Sequence, residues 1–338
     1  MQLLQNHSLK KLNTFGVDVK AKLFVEVFSE DELIKLLLDA NLNGEKKYIL
    51  GGGSNILFTK DFDGLIIKIS NLEINVVEEN DDSVLIVSGA GVLWDDLVNF
   101  CVERNFGGIE NLSLIPGTVG AAPIQNIGAY GQEIADTFVS LSGVFIDTGE
   151  RKTFSKNECK FSYRTSIFKE EFKNKFVVTS VLLNLKKNSK PNTKYIALSD
   201  YLDKIGIVNP KIDEVRKAVT AIRRSKLPDP GKIGNAGSFF KNPVVSEDLL
   251  RQLKAEYSDI VSFSSVSGNT KISAGWLIEK SGWKGKRVGY VGTSPDHALV
   301  ICNFGNATGA EILEFAMRIK EDVANKFGIE LEEEVNIL

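Results

Sequence analysis

Apolar side chains recur at helical spacing in some stretches of this chain and at strand spacing, or in short unbroken runs, in others. Ser29 to Asn41 predicts a helix: Ser29 and Glu32 have capping-box spacing and Leu33, Leu36 and Leu37 follow on one face. Leu93 to Asn105 predicts another, ending at Gly107. Asn209-Pro210 opens a third, with Ile212, Val215, Val219 and Ile222 on its apolar face, and it stops before Pro228. Thr308 and Glu311 cap a long terminal helix carrying Ile312, Phe315, Ile319, Val323 and Phe327 as far as Gly328. Strands are predicted over Lys47–Leu50, Leu65–Ile69, Phe138–Ile146 and Phe176–Leu185. Leu72–Val77 and Val84–Val87 form a hairpin around the acidic turn Glu78–Asp82. The elements do not alternate strictly as βαβ, and no internal repeat is present, so the pattern predicts an α+β chain with a hinge near Asn209.

Composition narrows the function classes. A chain of 338 residues, 43% hydrophobic and 25% charged, has room for two or three domains and an ample core. A net charge of −3 argues against a nucleic-acid partner or a polybasic membrane surface. No apolar run approaches the ~18 residues of a membrane span. Met1 to Asn13 is polar and lacks a signal-peptide core, so the expected location is cytoplasmic. Cys101, Cys159 and Cys302 are odd in number and widely spaced, which fits a reducing compartment and no zinc pattern. With His7 and His297 the only histidines, neither a histidine metal site nor a serine-hydrolase triad is easily built, and no metal is expected.

Candidate chemistry lies in glycine-rich segments. Gly51-Gly52-Gly53-Ser54-Asn55 follows a strand but lacks G-x-G-x-x-G spacing and opens no helix. It reads either as a tight turn or as a nest of backbone N–H groups for a pyrophosphate. Leu114 to Gly131 holds four glycines, two prolines and no charged side chain. It suits either close wrapping of a flat ligand or a buried small-residue loop. Gly234 to Pro243 sets one hydroxyl, Ser238, between a flexible run and the rings of Phe239 and Phe240. A serine does chemistry only when held beside activating groups; otherwise it belongs to a turn. Tyr163-Arg164 reads as a surface arginine or as a guanidinium fork for a carboxylate, Arg223, Arg224 and Lys226 suit a helix C-terminus or a phosphate, and Glu332-Glu333-Glu334 closes the chain as an acidic run of the kind that ordinarily faces solvent. With strand alternation Glu332 and Glu334 share one face. Lys190 to Leu202 is a polar, Lys-containing loop carrying Tyr195 that reads as a surface connection or a lid.

Taken in order, Asn13-Thr14-Phe15-Gly16, Gly51–Asn55, Ile115–Gly131, Tyr163-Arg164 with Ser166-Ile167-Phe168, Lys226-Leu227-Pro228-Asp229-Pro230, Gly234–Pro243, Ala274-Gly275-Trp276-Leu277-Ile278 and Leu331–Val335 make the chain resemble the UDP-N-acetylenolpyruvoylglucosamine reductase family. The resemblance covers nearly the whole chain, and the Tyr195 loop is similar to that of the longer subclass. It implies a two-subdomain FAD-binding domain of the vanillyl-alcohol-oxidase (PCMH) type and a C-terminal α+β substrate domain. The implied divisions are 1–70 joined by the tail 329–338, then 71–208, then 209–328. It implies noncovalent FAD, with NADPH as co-substrate and UDP-N-acetylglucosamine enolpyruvate as substrate, the flavin being reduced before the enolpyruvyl group. A monomeric enzyme of peptidoglycan precursor synthesis is expected. The matched positions assign Arg164, Ser238 and Glu334 to catalysis, with Ser238 as proton donor. They assign Gly51, Gly52, Gly53, Ser54, Asn55, Gly117, Gly120, Gln125 and Ile127 to FAD, and Tyr163, Tyr195, Lys226, Asn242 and Lys284 to the nucleotide sugar. The chain departs from the family pattern at Asn336, where an arginine is common, and at His297, where a glutamine is common.

Overall fold

The structure is a computed structural model that describes residues 1–264 and 270–338. The chain divides into two compact units. The first comprises Met1–His7, Ala21–Gly52 and Asp63–Ser225; the second comprises Ser8–Lys20, Gly53–Phe62 and Lys226–Leu338.

The first unit is built on two sheets. Strands β1 (Leu4–Ser8), β2 (Lys20–Val27), β3 (Lys47–Leu50) and β4 (Phe62–Ile69) form one in the order β1-β2-β4-β3, with β3 and β4 parallel. Leu65, Ile66 and Ile67 of β4 are all buried, as a parallel strand covered on both faces requires. Helix α1 (Glu30–Leu37) packs Leu33, Leu36 and Leu37 into the core around this sheet. Its cap differs slightly from expectation. Ser29 accepts the Glu32 N–H, but the Glu32 carboxylate takes the N–H of Phe28 instead of that of Ser29.

The second sheet is antiparallel. It contains β5 (Ile74–Glu79), β6 (Ser83–Gly89), β7 (Phe138–Phe145), β8 (Arg151–Ser155) and β9 (Phe176–Lys187) in the order β8-β7-β9-β6-β5, with Phe106–Gly107 pairing the end of β9. The expected hairpin of β5 and β6 is present. Helix α2 (Trp94–Glu103) buries Trp94, Leu97, Val98 and Cys101 in the core of this sheet. Phe145, Phe154, Phe168, Phe172 and Phe176 form an aromatic cluster with centroids 5–6.5 Å apart, for example 5.1 Å between Phe154 and Phe168.

Two expectations need correction. Lys190–Leu202 is not one loop: Tyr195 begins helix α3 (Ile196–Lys204), which buries Leu198 and Leu202. Those leucines pack on Val215, Val219 and Ile222 of α4 (Ile212–Lys226). That packing keeps α4 with the first unit, so the break falls after Ser225, at the end of this helix and not near Asn209. The two sheets of the first unit share a core: Val144 and Val177 pack with Leu65 and Ile67.

In the second unit β10 (Gly234–Ser238), β11 (Arg287–Val288), β12 (Val291–Thr293) and β13 (Val300–Asn303) form a sheet in the order β10-β13-β12-β11. Between β10 and β11 lie α5 (Glu247–Glu256) and α6 (Ala274–Lys280); α7 (Gly309–Phe327) follows β13. The Thr308–Glu311 capping box closes in both directions, and Gly328 ends α7 at φ 65°. Ile56–Leu57 runs parallel to Asn336–Ile337, so the C-terminal tail joins the 53–62 segment.

Candidate functional site

In the first unit the two glycine loops lie backbone on backbone. A Cβ on Gly52 would sit 3.0 Å from the Gly117 Cα, and one on Gly51 would sit 2.7 Å from the Thr118 hydroxyl. Gly120 is equally constrained: its N–H donates to the Ala90 carbonyl at 2.9 Å, and a Cβ there would meet that of Ala90 at 2.5 Å. These glycines are therefore required by packing. Their surface stays open and uncharged, with Gly52, Pro116 and Ala121 exposed and no ionisable group in Leu114–Ile127. Such a neutral, side-chain-poor face fits a large flat cofactor with a diphosphate: backbone can approach it and no carboxylate repels it. Ile127 is a core residue whose N–H goes to Ala122 and whose carbonyl accepts from Ile134.

Arg164 is held in an unusual way. Ser162 and Thr165 exchange backbone hydrogen bonds, 3.1 and 3.2 Å, around the tight turn Tyr163-Arg164. Arg164 occupies φ 54°, a left-handed conformation that asparagine or glycine ordinarily fills. A long cationic side chain kept there points to a positional requirement. Its guanidinium donates to the Gly128 carbonyl at 2.8 Å. The turn is anchored on both sides: Asn126 donates to the Ser162 carbonyl (3.1 Å), and the Ser166 hydroxyl donates to the Ile124 carbonyl (2.7 Å).

Around it stand further residues, among them Tyr130, Asn111 and Asn192, to which sequence reasoning gave no role. Tyr130-Gly131 forms the tight turn of the hairpin Gly128–Ala129/Gln132–Glu133, with φ 48° and 77°. Asn111 donates to the carbonyls of Tyr130 (2.8 Å) and Asn192 (2.7 Å), and Asn192 donates to Gly131 (3.0 Å). The Tyr195 ring then meets Tyr130 edge-on, 5.4 Å between centroids. Arg223 is close enough to feel the charges of Tyr130, Asp95 and Arg164, and burial, above all, lowers its pKa. The sequence offers Arg223 only as a cation for the helix C-terminus or a phosphate, not as a neighbour of Arg164. Arg224 instead faces a groove of 650 Å³ with Asn99, Glu103 and Thr220, whose lining includes none of the residues assigned to catalysis, FAD or the nucleotide sugar.

The second unit brings Ser238 and Glu334 together. Asn13 is buried and stitches the turn that packs beside β10: its amide donates to Leu9 (2.8 Å) and Val17 (3.0 Å). Thr14 pairs with Gly53 (3.0 Å), and its carbonyl accepts the Asn235 N–H (3.0 Å). Gly53 has φ 62°, and a Cβ there would lie 1.9 Å from the Leu12 carbonyl oxygen. Strand β10 carries a bulge between Asn235 and Ser238, with Gly237 at φ 70°, so Ser238 is turned out of the regular alternation. The buried rings of Phe239 and Phe240 fix the following backbone. The Glu334 N–H donates to the Phe239 carbonyl (2.8 Å), and the Lys241 N–H to the Glu332 carbonyl (2.9 Å), flanking a Phe240–Glu333 bridge. Glu332 pairs with Lys241 and Glu333 with Lys320 at 3.1 Å, so these two acids are ion-paired. Asn55 donates to the Glu334 carbonyl at 3.2 Å. Asn336 spends its amide on the Asn55 carbonyl, 2.9 Å away.

Asn242 uses its carbonyl oxygen to accept the Ala274 N–H at the start of α6 (2.9 Å), which leaves its NH₂ as the group to present. Lys284 is paired with Glu279 at 3.0 Å. The charges of Lys226 and Lys284 both reach His297. Among the described residues no cluster of acids, histidines and cysteines could hold a metal, and no helix is long and apolar enough to cross a membrane.

Comparison with known proteins bears on this geometry. A family profile described as UDP-N-acetylenolpyruvoylglucosamine reductase, C-terminal domain, matches residues 229–338, and one described as FAD binding domain matches 21–155. The chain is 49% identical over 339 residues, all of both chains, to a UDP-N-acetylenolpyruvoylglucosamine reductase of Flavobacterium johnsoniae. It is 43% identical to that of Pseudomonas aeruginosa over 100% of this chain and 99% of the relative. A solved UDP-N-acetylenolpyruvylglucosamine reductase from Thermus caldophilus superposes with a TM-score of 0.69 at 24% identity, over 99% of this chain and 98% of the other, which supports the α+β fold.

Proposed function

The chain belongs to the UDP-N-acetylenolpyruvoylglucosamine reductase family and is an FAD-dependent oxidoreductase, and on that premise we propose that it uses NADPH to reduce the enolpyruvyl group of UDP-N-acetylglucosamine enolpyruvate to UDP-N-acetylmuramate. The full-length identity carries this reading. The product is a peptidoglycan precursor; a cytoplasmic monomer of the longer, Tyr195-bearing subclass is part of the same reading. Bound FAD supplies the hydride relay from nicotinamide to the enolpyruvyl double bond. Gly51 to Asn55, Gly117, Gly120, Gln125 and Ile127 would hold it, the last through the course of its backbone.

The remaining work falls to side chains. Hydride arriving at the methylene carbon leaves negative charge on the adjacent carbon and its carboxylate. Arg164, locked by its turn and by Gly128, offers a fixed cation for that charge, so little reorganisation is needed as it develops. Ser238 gives its hydroxyl proton to the adjacent carbon, and the bulge fixes where that proton is presented. Glu334, next to Ser238 through the Phe239 carbonyl, shares this charge when protonated; ionised, it opposes it. Tyr163, Tyr195, Lys226, Asn242 and Lys284 grip the nucleotide sugar. With its carbonyl turned to the Ala274 N–H, Asn242 presents its NH₂, whose N–H donors suit phosphate oxygens.

The test is anaerobic. The NADPH-reduced, bleached protein should regain its yellow colour when the enolpyruvyl nucleotide is added without oxygen. Reoxidation by oxygen alone would leave a flavin oxidoreductase with another substrate. No bleaching by NADPH would remove NADPH from the reading.

A further inference from the structure

Nδ1 of His297 is buried and has no hydrogen-bond partner. The turn that carries it is fixed. The Val300 N–H donates to the His297 carbonyl (3.0 Å), the Ser294 N–H donates to the Val300 carbonyl (2.8 Å), and Val300 lies opposite Ser238. His297 therefore sits just beyond the strand end that pairs with the residue assigned as proton donor. Its charged surroundings are two lysines from other elements, Lys226 at the end of α4 and Lys284 after α6. Glu279 pairs with Lys284, and Asp296, next to His297 in the chain, is exposed. Burial first, then the two lysine charges, push the His297 pKa below its ordinary value, so with no anion beside it the imidazole is neutral. Entry of an anion reverses the last two contributions and supplies acceptor oxygens for a ring that, once protonated, donates from both nitrogens.

We propose that His297 is the proton-linked contact of the substrate site: when an oxyanion of the substrate enters beside Lys226 and Lys284, this imidazole takes up a proton and donates to it. The inference rests on the reading of Lys226 and Lys284 as substrate-binding residues. The oxyanion is the diphosphate or the enolpyruvyl carboxylate. The sign of the linkage is fixed: a pKa raised on binding means proton uptake between the free and bound values, and affinity that falls as pH rises through the bound value. Each unit of that rise is a tenfold change in affinity.

Calorimetric titration of the FAD-loaded protein near pH 7.5, in buffers of different ionisation heat, measures the uptake. UDP-N-acetylglucosamine carries the diphosphate with no group titrating near neutrality; the enolpyruvyl derivative adds the carboxylate. Wild type should take up a substantial fraction of a proton, and H297Q should bind with none and with an affinity flat in pH. Uptake with both ligands assigns the diphosphate, and uptake with the enolpyruvyl compound alone assigns the carboxylate. Ring NMR of wild type gives an answer that does not depend on a variant. The chain has only two histidines, so His297 should move to the imidazolium shift on ligand addition while His7, stacked on Phe24 at 4.3 Å, stays put. Binding without proton uptake, or uptake undiminished in H297Q, overturns the proposal and leaves the function standing. Failure of the enolpyruvyl compound both to bind and to reoxidise the flavin overturns both.

Discussion

At the scale of single residues, local geometry separates positions that sequence alone presents as equivalent. Gly53 and Gly237 both hold positive φ, but a Cβ on Gly53 would strike the Leu12 carbonyl at 1.9 Å whereas one on Gly237 meets nothing within 4 Å. Gly53→Ala should therefore cost more than about 4 kcal/mol, since backbone must move, while Gly237→Ala should cost only the left-handed penalty of about 1–2 kcal/mol. Thermal unfolding of the two variants checks this; similar losses would mean the Leu12 segment yields freely. Ser238 invites a different measurement. Flavin reduction by NADPH needs no proton from this hydroxyl, so S238A should leave that half-reaction nearly intact. Reduction of the enolpyruvyl group should slow by ~10²-fold or more, and S238C should restore part of it, because a thiol still donates a proton. Stopped-flow traces of each half-reaction decide; equal slowing of both would make Ser238 a shaper of the site. The motif around Asn13 was visible in the sequence, but the reason for it was not. The partners of Asn13-Thr14-Phe15 include Gly53, Asn235 and Asn303, far apart in the chain, and no local pattern announces such pairing.

At the scale of elements, Asp95 joins three of them. From the first turn of α2 it accepts both arms of Arg216 on α4, at 2.7 and 3.0 Å, and the N–H of Leu114, which opens the second glycine loop, at 2.5 Å. Burial opposes ionisation of this carboxyl, but the Arg216 fork, the Leu114 N–H and the Arg223 charge outweigh it and hold its pKa below the ordinary value. A depressed carboxylate stabilises the fold above its unfolded pKa, and the contribution disappears as pH falls through the folded value. Asp95→Asn should cost about 2 kcal/mol at pH 7, the scale of charge-assisted hydrogen bonds. The gap from wild type should narrow progressively as pH falls below about 4 and close once the folded carboxyl is itself protonated. Denaturant unfolding at pH 7 and at steps down through the acid range tests both halves, and a gap that does not narrow as pH falls would trace the loss to packing. Capped and strongly periodic helices were legible because their signals are local. Helix α3 was not, since its buried face is only Leu198 and Leu202, behind a stretch of Lys, Asn and Pro, and its partners Val215 and Val219 lie in another element. For the same reason Asn209-Pro210 reads as a hinge although the helix behind it is fastened to the first unit.

At the scale of the whole molecule, the two units enclose different parts of the sequence than its linear order suggests, because residues 8–20 and 53–62 leave the first unit to build the second. The break runs through the glycine run, after Gly52, so the segment assigned to the cofactor contributes to both units. Periodicity cannot show this, as it describes faces and not which unit receives a short connecting segment. The attachment of FAD follows from where the reactive side chains lie. Cys101, Cys159 and Cys302 are buried, and burial pushes each thiol pKa up to about 12, which removes the thiolate a covalent tether would need. Neither histidine lies in Gly51–Asn55 or Leu114–Gly131. Acid precipitation should therefore release all the yellow colour into the supernatant; flavin retained on the denatured chain would mean a tether. A cofactor held only by noncovalent contacts stabilises the state that binds it in proportion to the logarithm of its concentration, about 2.7 kcal/mol at a hundredfold excess over Kd and about 4.1 kcal/mol at a thousandfold. Protein stripped of FAD under mild conditions should thus unfold at a lower temperature, and readdition should raise the midpoint progressively with free FAD. A midpoint that recovers fully at one equivalent and then stays flat, with colour lost only on proteolysis, would contradict reversible binding.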